Sequence, residues 1–179
     1  MKVHELFEVK EKSILSVMGK QDDHFIGNFR CSKKSLTSLE GAPRIVTSGG
    51  FQCAENRLTS LKGGPTSVSA LFSCCENRIT SLEGAPYFVG GSFYCHNNKL
   101  TSLHNIHKQI KHIGAIANFV SNPIISCVLG LLLIDGLKEI FLDNQKVQVI
   151  MYKHLHGGRD IFACQEELIE NGFEDFAQL

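Results

Sequence analysis

Apolar and polar positions alternate along the chain in a block that recurs every 21 or 22 residues. The first apolar position is taken by Phe29, Phe51, Phe72 and Phe93, at spacings of 22, 21 and 21. The shared form is Phe-x-Cys-x-x-Asn-x-Leu-Thr-Ser-Leu-x-Gly-x-Pro. Residues two apart on a strand face the same side. The pattern therefore predicts a short strand in each block, with Phe and Cys inward and the residue between them outward.

A fixed period of about 20 to 29 residues with this hydrophobic pattern is typical of a leucine-rich repeat. The Gly63-Gly64-Pro65 stretch and its counterparts prevent a helix on the return half of each coil. We therefore predict an α/β solenoid of about six coils, with a parallel β-sheet on the concave face, a mostly irregular convex face and a helical C-terminal cap. The six strands are predicted near residues 28–31, 50–53, 71–74, 92–95, 112–115 and 139–142.

The last two of these coils are weaker copies of the block. In the fifth, Ile113 and Ala115 are assigned to the inward positions and Asn118 to the asparagine position. In the sixth, spanning 137–147, Gln145 takes the asparagine position. Between them, Asn122 is predicted to cap a helix that runs to Leu133, because Pro123 suits a first turn.

The length of 179 residues indicates a single domain. Its parts are an N-terminal cap (1–25), the repeats (26–147) and a helical C-terminal cap (148–179), since a solenoid must cover its terminal core faces. The N-terminal cap is expected to contribute Ile14, Leu15, Val17 and Met18. The C-terminal cap is expected to hold a helix over 146–155 and a second one from Asp160 to about Glu170, with Phe162, Leu168 and Ile169 facing inward.

Two columns of repeated side chains are predicted to hold the coils together. Asparagine amides can bond to the backbone of a neighbouring coil, and the predicted ladder is Asn56, Asn77, Asn98 and Asn118. The cysteines Cys31, Cys53, Cys74 and Cys95 should stack as small buried hydrophobes. Stacked side chains that point the same way seldom reach disulfide geometry. The seven cysteines therefore indicate free thiols and a reducing, cytoplasmic compartment.

The form Thr-Ser-Leu-x-Gly-x-Pro occurs at 37–43, 59–65 and 80–86. In this form the chain resembles the leucine-rich-repeat proteins of tailed bacteriophages and some bacteria. The stretches 130–137 and 159–168 look like the end cap of the same phage group. The resemblance implies a phage-encoded solenoid in the host cytoplasm and leaves its task open, because leucine-rich repeats serve many unrelated functions.

The outward positions of the strands form the predicted binding surface. The first row reads Arg30, Gln52, Ser73, Tyr94, Gly114 and Phe141, the second Ser32, Ala54, Cys75, His96, Ile116 and Asp143, and a third carries Lys33, Glu55, Glu76 and Asn97. Aromatic residues and arginine dominate interface hot spots, so Tyr94, His96 and Arg30 are the candidate anchors. The carboxylates of Glu55 and Glu76 would suit a basic partner. The alternative is a plain solvated sheet face.

Charge and hydropathy narrow the choice of partner. The chain carries 18 Lys and Arg against 18 Asp and Glu, so it lacks the general attraction that drives nucleic-acid binding. The longest apolar run, 124–134, is too short for a membrane span, which needs about 20 residues. Residues 1–8 lack the apolar core of a signal peptide. We therefore expect a protein partner and no membrane or nucleic-acid partner, with a homo-oligomer left open.

Other chemistry-bearing residues have simpler interpretations as structural or solvated groups. The cations Arg57, Arg78 and Lys99 form a row that could grip phosphates, although exposed charges usually stay solvated. A metal site is not expected at His104, His107 and His112, because they lie in a loop. Neither an anion site at 157–160 nor a Cys75–His96 nucleophile is expected. Leu6-Phe7-Glu8 loosely resembles a site cut by T-even-type phage maturation proteases.

The resulting expectation is a non-enzymatic recognition protein, with no catalytic residue, metal or cofactor. It would be a phage accessory protein that occludes a host protein, with a defence component as one candidate. Two alternatives stay open. The first is an enzyme or small-molecule-binding protein with a pocket near His112, His154 and Arg159. The second is an assembly protein that oligomerises through the solenoid edge.

Overall fold

The computed structural model describes residues 11–179. They form a β-solenoid of about five turns with a period near 22 residues, followed by helices. One sheet has five parallel strands, β1, β3, β5, β7 and β9, at His24–Ile26, Ile45–Thr47, Ser67–Val68, Phe88–Val89 and His112–Ile113. The other has six parallel strands, β2, β4, β6, β8, β10 and β11, at Phe29–Arg30, Phe51–Gln52, Phe72–Ser73, Phe93–Tyr94, Ile116–Asn118 and Glu139–Phe141.

The five-stranded sheet was not expected, because the return half of each coil was predicted to be mostly irregular. Its inward side chains are Val46, Val68, Val89 and Ile113, all fully buried. Each lies four or five residues before an inward residue of the six-stranded sheet. A β-branched residue at a repeated position is a strand signal. The sequence signal for the second sheet is therefore weak, because only one inward apolar residue per coil marks it.

A tight corner joins the two strands of each coil. Between β3 and β4 the corner is Ser48-Gly49-Gly50, and Ser48 adopts a left-handed φ of 55°. A side chain at Gly49 would bring its Cβ within 2.2 Å of the Gly27 carbonyl carbon in the preceding coil. Glycine is required here because the backbones of successive coils approach too closely for a larger residue.

The core of the first four coils is built from columns of identical side chains. The rings of Phe29, Phe51, Phe72 and Phe93 stack nearly parallel, with centroids 5.2, 5.7 and 5.3 Å apart. Such offset stacks bury large apolar areas and add a modest aromatic attraction. The prediction of a solenoid with stacked inward phenylalanines is confirmed.

The predicted register of the fifth coil is wrong. Ile113 belongs to β9 of the five-stranded sheet, and β10 begins three residues later at Ile116. Ala117 pairs with Phe93 and Asn118 with Tyr94, so Ala117 and Phe119 take the inward positions. A short helix, α2 (Ile106–Gln109), lengthens this coil and delays the strand. The ring of Phe119 ends the aromatic column, tilted by 41° against Phe93.

The helix predicted from Asn122 to Leu133 does not form. Asn122 is a buried ladder residue, and the only helical turn here is a 3₁₀ helix at Leu129–Leu133. The interpretation of Asn122-Pro123 as a helix start was wrong because the amide of Asn122 bonds to the preceding coil. It donates to the carbonyl oxygens of Cys95 and Phe119 at 2.9 Å.

The N-terminal cap is a short helix, α1 (Ile14–Met18), whose first turn is closed by Ser13 and Ser16. Ile14 is buried and Met18 packs against the core, whereas Leu15 and Val17 are exposed and do not serve the core as predicted. The amide of Leu15 instead bonds to the carbonyl of Glu40. A five-residue helix has room for only one buried face.

Two helices, α3 (Gln145–His156) and α4 (Ile161–Glu170), form the C-terminal cap. Asn144 and Asp160 cap them, as the Asp160 prediction required. Gln145 starts α3 and does not act as a ladder residue; Gln148 accepts the Leu142 amide instead. Of the three residues predicted to face inward on α4, only Leu168 is buried, and Phe162 and Ile169 are exposed. Cys164 and Leu168, four residues apart, form the inward stripe of α4.

Candidate protein-binding surface

The outer face of the six-stranded sheet brings the predicted binding residues together in register. Its first row is Arg30, Gln52, Ser73, Tyr94, Asn118 and Phe141. Gly114 was assigned to this row and is not part of it, because it lies at the corner between β9 and β10. Likewise Val120, and not Ile116, follows His96 in the second row, since the Asn97 amide bonds to the Val120 carbonyl.

Ser73 differs from its neighbours because it is only 8% exposed. Its register partners on the adjacent strands are Gln52 and Tyr94. Both carry much longer side chains than serine, so the outer surface of the sheet is recessed at Ser73. Ser73 forms a low point between two taller, partly exposed side chains, and a partner could reach it only with a protruding group.

Tyr94 and His96 form the aromatic pair of this surface. Both are partly exposed, and their ring centroids lie 6.2 Å apart in an edge-to-face arrangement. The Nδ1 atom of His96 is buried without a hydrogen-bond partner among residues 11–179. An aromatic pair that is partly exposed offers the apolar contact area that interface anchors use.

Cys75 belongs to the second row and is partly exposed, with its Sγ 3.4 Å from the Ser73 hydroxyl. Burial is the largest influence on this thiol and raises its pKa above the ordinary 9.0. The thiolate is the reactive form of cysteine. A thiol with a raised pKa is protonated at neutral pH, so the geometry gives no support to nucleophilic catalysis at Cys75.

A row of turn residues borders the surface, and all of them adopt a left-handed backbone with φ between 54° and 59°: Lys33, Glu55, Glu76, Asn97 and Ser121. The Lys33 ammonium contacts the Glu55 carboxylate at 3.0 Å in an exposed ion pair. Exposed pairs of this kind contribute at most about 1 kcal/mol. Glu76 forms no ion pair within the part of the chain that the structure describes, so its carboxylate is available to a cationic partner.

The column of ladder asparagines stabilises the turns in which these left-handed residues lie. The Asn77 side chain accepts the Leu58 amide at 3.0 Å and donates to the carbonyls of Cys53, Cys74 and Cys75. Asn56 and Asn98 form the same contacts one coil before and after. The fourth member is Asn122 and not Asn118, which instead accepts the nearby Val120 amide from an outward position.

The stacked cysteines Cys31, Cys53, Cys74 and Cys95 are all fully buried and unpaired. Burial raises the pKa of Cys31 to about 12 and the pKa of Cys53 and Cys74 well above the ordinary value. Removal from water disfavours the charged thiolate. These thiols therefore act as small packing groups beneath the sheet surface and supply no reactive group to it.

The three residues of the alternative site, His112, His154 and Arg159, are each in contact with another group of the protein. The ring of His112 stacks on Phe88 with centroids 4.7 Å apart. The Nε2 atom of His154 lies 2.6 Å from the Glu167 carboxylate. The Arg159 guanidinium donates to the backbone carbonyls of Ile134 and Leu137 at 2.6 Å, which fastens the 3₁₀ segment to the cap. A cleft of about 450 Å³ lies instead between α3 and α4.

The remaining candidates show no ligand-binding geometry, although Arg57, Arg78 and Lys99 do lie at the same position of successive coils. Arg57, Arg78 and Lys99 are exposed and form no ion pair within residues 11–179. No three His, Cys, Asp or Glu side chains among the described residues converge as a metal site requires. The Asp160 side chain caps α4 by accepting a hydrogen bond from the Ala163 amide. This amide is therefore not free to bind an anion at the loop 157–160. The Leu6-Phe7-Glu8 motif lies outside the described residues.

The register of the fifth coil was the main feature that sequence reasoning missed. Ala117-Asn118-Phe119-Val120-Ser121-Asn122-Pro123-Ile124 fits the inward-x-inward-x-x-Asn-x-apolar form of the other coils. The signal was therefore present, but small Ala117 stands where the other coils have Phe. Because the spacing also lengthens to 24 residues from Phe93, the repeat period favours the earlier and partly similar stretch around Ile113.

No helix within residues 11–179 has the length and apolar character needed to cross a membrane. Comparison of the chain with protein-family models, with curated proteins and with solved structures finds no match. By its fold, the protein is a β-solenoid of parallel sheets with helices at its C-terminal end.

Proposed function

We propose that the chain is a non-enzymatic recognition protein that binds another protein across the outer face of the six-stranded sheet. The observation that carries the proposal is the register of this face. It aligns Arg30, Gln52, Tyr94, Asn118 and Phe141 in one row and places His96 beside Tyr94. Aromatic residues and arginine are enriched in the cores of protein interfaces.

The solenoid would be a leucine-rich repeat, with this face as its concave side. The inward-x-inward-x-x-Asn-x-Leu pattern and the asparagine ladder support the assignment. The Thr-Ser-Leu-x-Gly-x-Pro form, which resembles phage repeat proteins, supports an accessory role in the host cytoplasm. The protein would occlude a host protein, and a defence component is the candidate that suits such a role.

The chemistry of the described residues favours binding over catalysis. The only exposed thiol on the sheet face has a raised pKa because of burial. A nucleophilic mechanism would require an activated group, with a base that converges on it. The exposed carboxylates of Glu55 and Glu76 would give the surface a preference for a partner with lysine or arginine at the matching positions.

The test is a comparison of partners captured from expressing cells by the wild-type chain and by Tyr94→Ala/His96→Ala, quantified by mass spectrometry and repeated with the purified partner. Tyr87→Ala is the control, because Tyr87 is an exposed aromatic residue that precedes β7 in the other sheet. We expect the double variant to lose capture by at least about 30-fold, with an unchanged melting temperature. Full capture by the double variant would reject the sheet face as the binding site.

A further inference from the structure

The outer face of the five-stranded sheet carries a column of side chains one coil apart: His24, Ile45, Ser67, Phe88 and His112. The rings of Phe88 and His112 stack in this column, with centroids 4.7 Å apart and planes 10° from parallel. Ile45 and Phe88 are 43% and 39% exposed. Between them Ser67 has only a short side chain, which leaves a gap. We call this gap the Ser67 slot; Ile45 and Phe88 are its walls.

The width of the Ser67 slot matches one aromatic ring. Neighbouring strands lie about 4.8 Å apart, so the backbones of the two walls, two coils apart, are separated by about 9.6 Å. Carbon atoms in contact lie about 3.5 to 4.0 Å from each other, so a ring with one such contact on each side fits. The core shows the same arrangement, because the ring of Phe51 lies between those of Phe29 and Phe72, at 5.2 and 5.7 Å.

One face of the Phe88 ring is covered by His112, and the other face is turned toward the slot. The ring leans along the sheet toward Gly90, since a Cβ at Gly90 would lie 3.4 Å from its Cε1 atom. The position that continues the stack therefore lies over Ser67 and Ser69, whose side chains are both short. An inserted ring would stack on Phe88 and bury its exposed face, and stacking favours an aromatic group over an aliphatic one.

The slot has a cation at one end. Among the residues of β3, β5 and β7 and those that directly precede them, only Arg44 is charged. Arg44 is exposed and forms no ion pair within residues 11–179. A cavity of about 210 Å³ opens here, lined by Arg44, Ile45 and Thr66 and, one coil further away, by Asp23 and His24. A carboxylate next to the inserted ring could therefore bind the guanidinium.

We propose that the Ser67 slot binds an aromatic side chain of a partner protein that carries a carboxylate on a neighbouring residue. The ring would continue the stack of Phe88 and His112, and the carboxylate would bind Arg44. A nucleobase is also planar, but the phosphates of a nucleic acid are held by several cations, and the slot has one. The proposal involves none of the residues of the six-stranded sheet and is independent of the proposed function.

The first experiment follows the protein amide signals by nuclear magnetic resonance while a peptide is added to about 10 mM, a range that suits a site for one ring and one ion pair. The probe is acetyl-Gly-Glu-Trp-Glu-Gly-amide. We expect saturable shifts around Ile45, Ser67 and Phe88, with a dissociation constant on the order of 1 mM. Probes with leucine in place of tryptophan, or glutamine in place of glutamate, should each bind about threefold more weakly.

The second experiment changes the slot itself. Ser67→Tyr fills the gap with a ring of the protein's own and should weaken binding of the probe at least about tenfold, without lowering the melting temperature because the position is on the surface. Phe88→Ala removes one wall and Arg44→Gln removes the cation, and each should weaken binding about threefold. The control is Thr59→Tyr, which places the same side chain at an exposed position outside both sheets and should leave binding unchanged.

The absence of saturable shifts over the whole range would overturn the proposal. So would unchanged binding to Ser67→Tyr, because the probe would then occupy another surface. Equal binding of the glutamate and glutamine probes would contradict the role of Arg44. A single-stranded oligonucleotide that binds at the slot more tightly than the peptide would contradict a protein partner.

Discussion

The first four coils and the C-terminal part of this protein are built on different principles. From Phe29 to Leu103 each coil repeats the previous one, so the phenylalanine rings stack 5.2 to 5.7 Å apart and the asparagines form a column. From His104 onwards the spacing lengthens, α2 interrupts the coil and the aromatic column ends at the tilted ring of Phe119.

The difference shows what repetition contributes to a fold. In the regular coils the inward phenylalanines, cysteines and asparagines meet copies of themselves in the neighbouring coils, so one position determines the environment of the next. In the last coils the neighbours differ, and each contact must be satisfied individually. Gln148 reaches back to the Leu142 amide, and Asp143 accepts the Ser121 amide with both carboxylate oxygens.

The largest expected effect is on the aromatic column of the regular coils. Phe72 is 1% exposed and stacks on Phe51 and Phe93. Phe72→Ala should lower the free energy of unfolding by about 3 to 5 kcal/mol, because a large cavity opens in a packed core. Chemical denaturation measures the change. Phe72→Leu keeps most of the volume and should cost clearly less; equal costs for the two would show that the column is not closely packed.

The next effect distinguishes the two candidate ladder residues of the fifth coil. Asn122→Ala should cost about 1 to 3 kcal/mol, as should Asn77→Ala in the regular coils, because each leaves buried backbone groups without a partner. Asn118→Ala should cost less than about 0.5 kcal/mol, since its side chain lies on the surface. The measurement is again denaturant unfolding, and the reverse order for Asn118 and Asn122 would contradict the observed register.

The smallest effect concerns the contact of α4 with α3. The Lys153 ammonium and then the His154 ring hold the pKa of Glu167 below its ordinary 4.5. A carboxyl whose pKa is lowered by folding stabilises the folded state above its unfolded pKa. This contribution, below about 1 kcal/mol for a surface pair, is lost as the pH falls below 4.5 and through the folded-state pKa.

Glu167→Gln removes that contribution, so the stability difference between the wild type and this variant should shrink on acidification from pH 6 to 3. Melting temperatures across this range test the point. Glu170→Gln is the matched control, since Glu170 is exposed and has no ion-pair partner among the described residues. A difference that grows on acidification would mean that Glu167 does not stabilise the cap as a carboxylate.

Prediction from sequence succeeded where copies could be compared and failed where only one copy existed. The strands at Phe51, Phe72 and Phe93 were placed within one residue of their observed bounds. The helices at 145–156 and 161–170 were recognised from their breaks and from the cap at Asp160. The fifth strand was misplaced because Ala117 does not resemble the phenylalanines that it replaces.

Exposure was harder to predict than register. Phe162 and Ile169 were expected in the core because apolar residues usually are, yet the inward stripe of α4 consists of Cys164 and Leu168. Ser73 was expected on the surface and is buried between longer neighbours in the same row. Both outcomes depend on side chains from other elements, which a pattern within one segment does not contain.

By itself, the sequence determined that the chain winds into a solenoid, because a recurring inward pair and a recurring amide make every coil the complement of the next. The tertiary structure alone decided which side chains of the sheet face stay exposed, such as Tyr94 but not Ser73, and which helix faces remain uncovered. These features depend on the distance between backbones and on the size of neighbouring side chains, which appear only when the coils pack against one another.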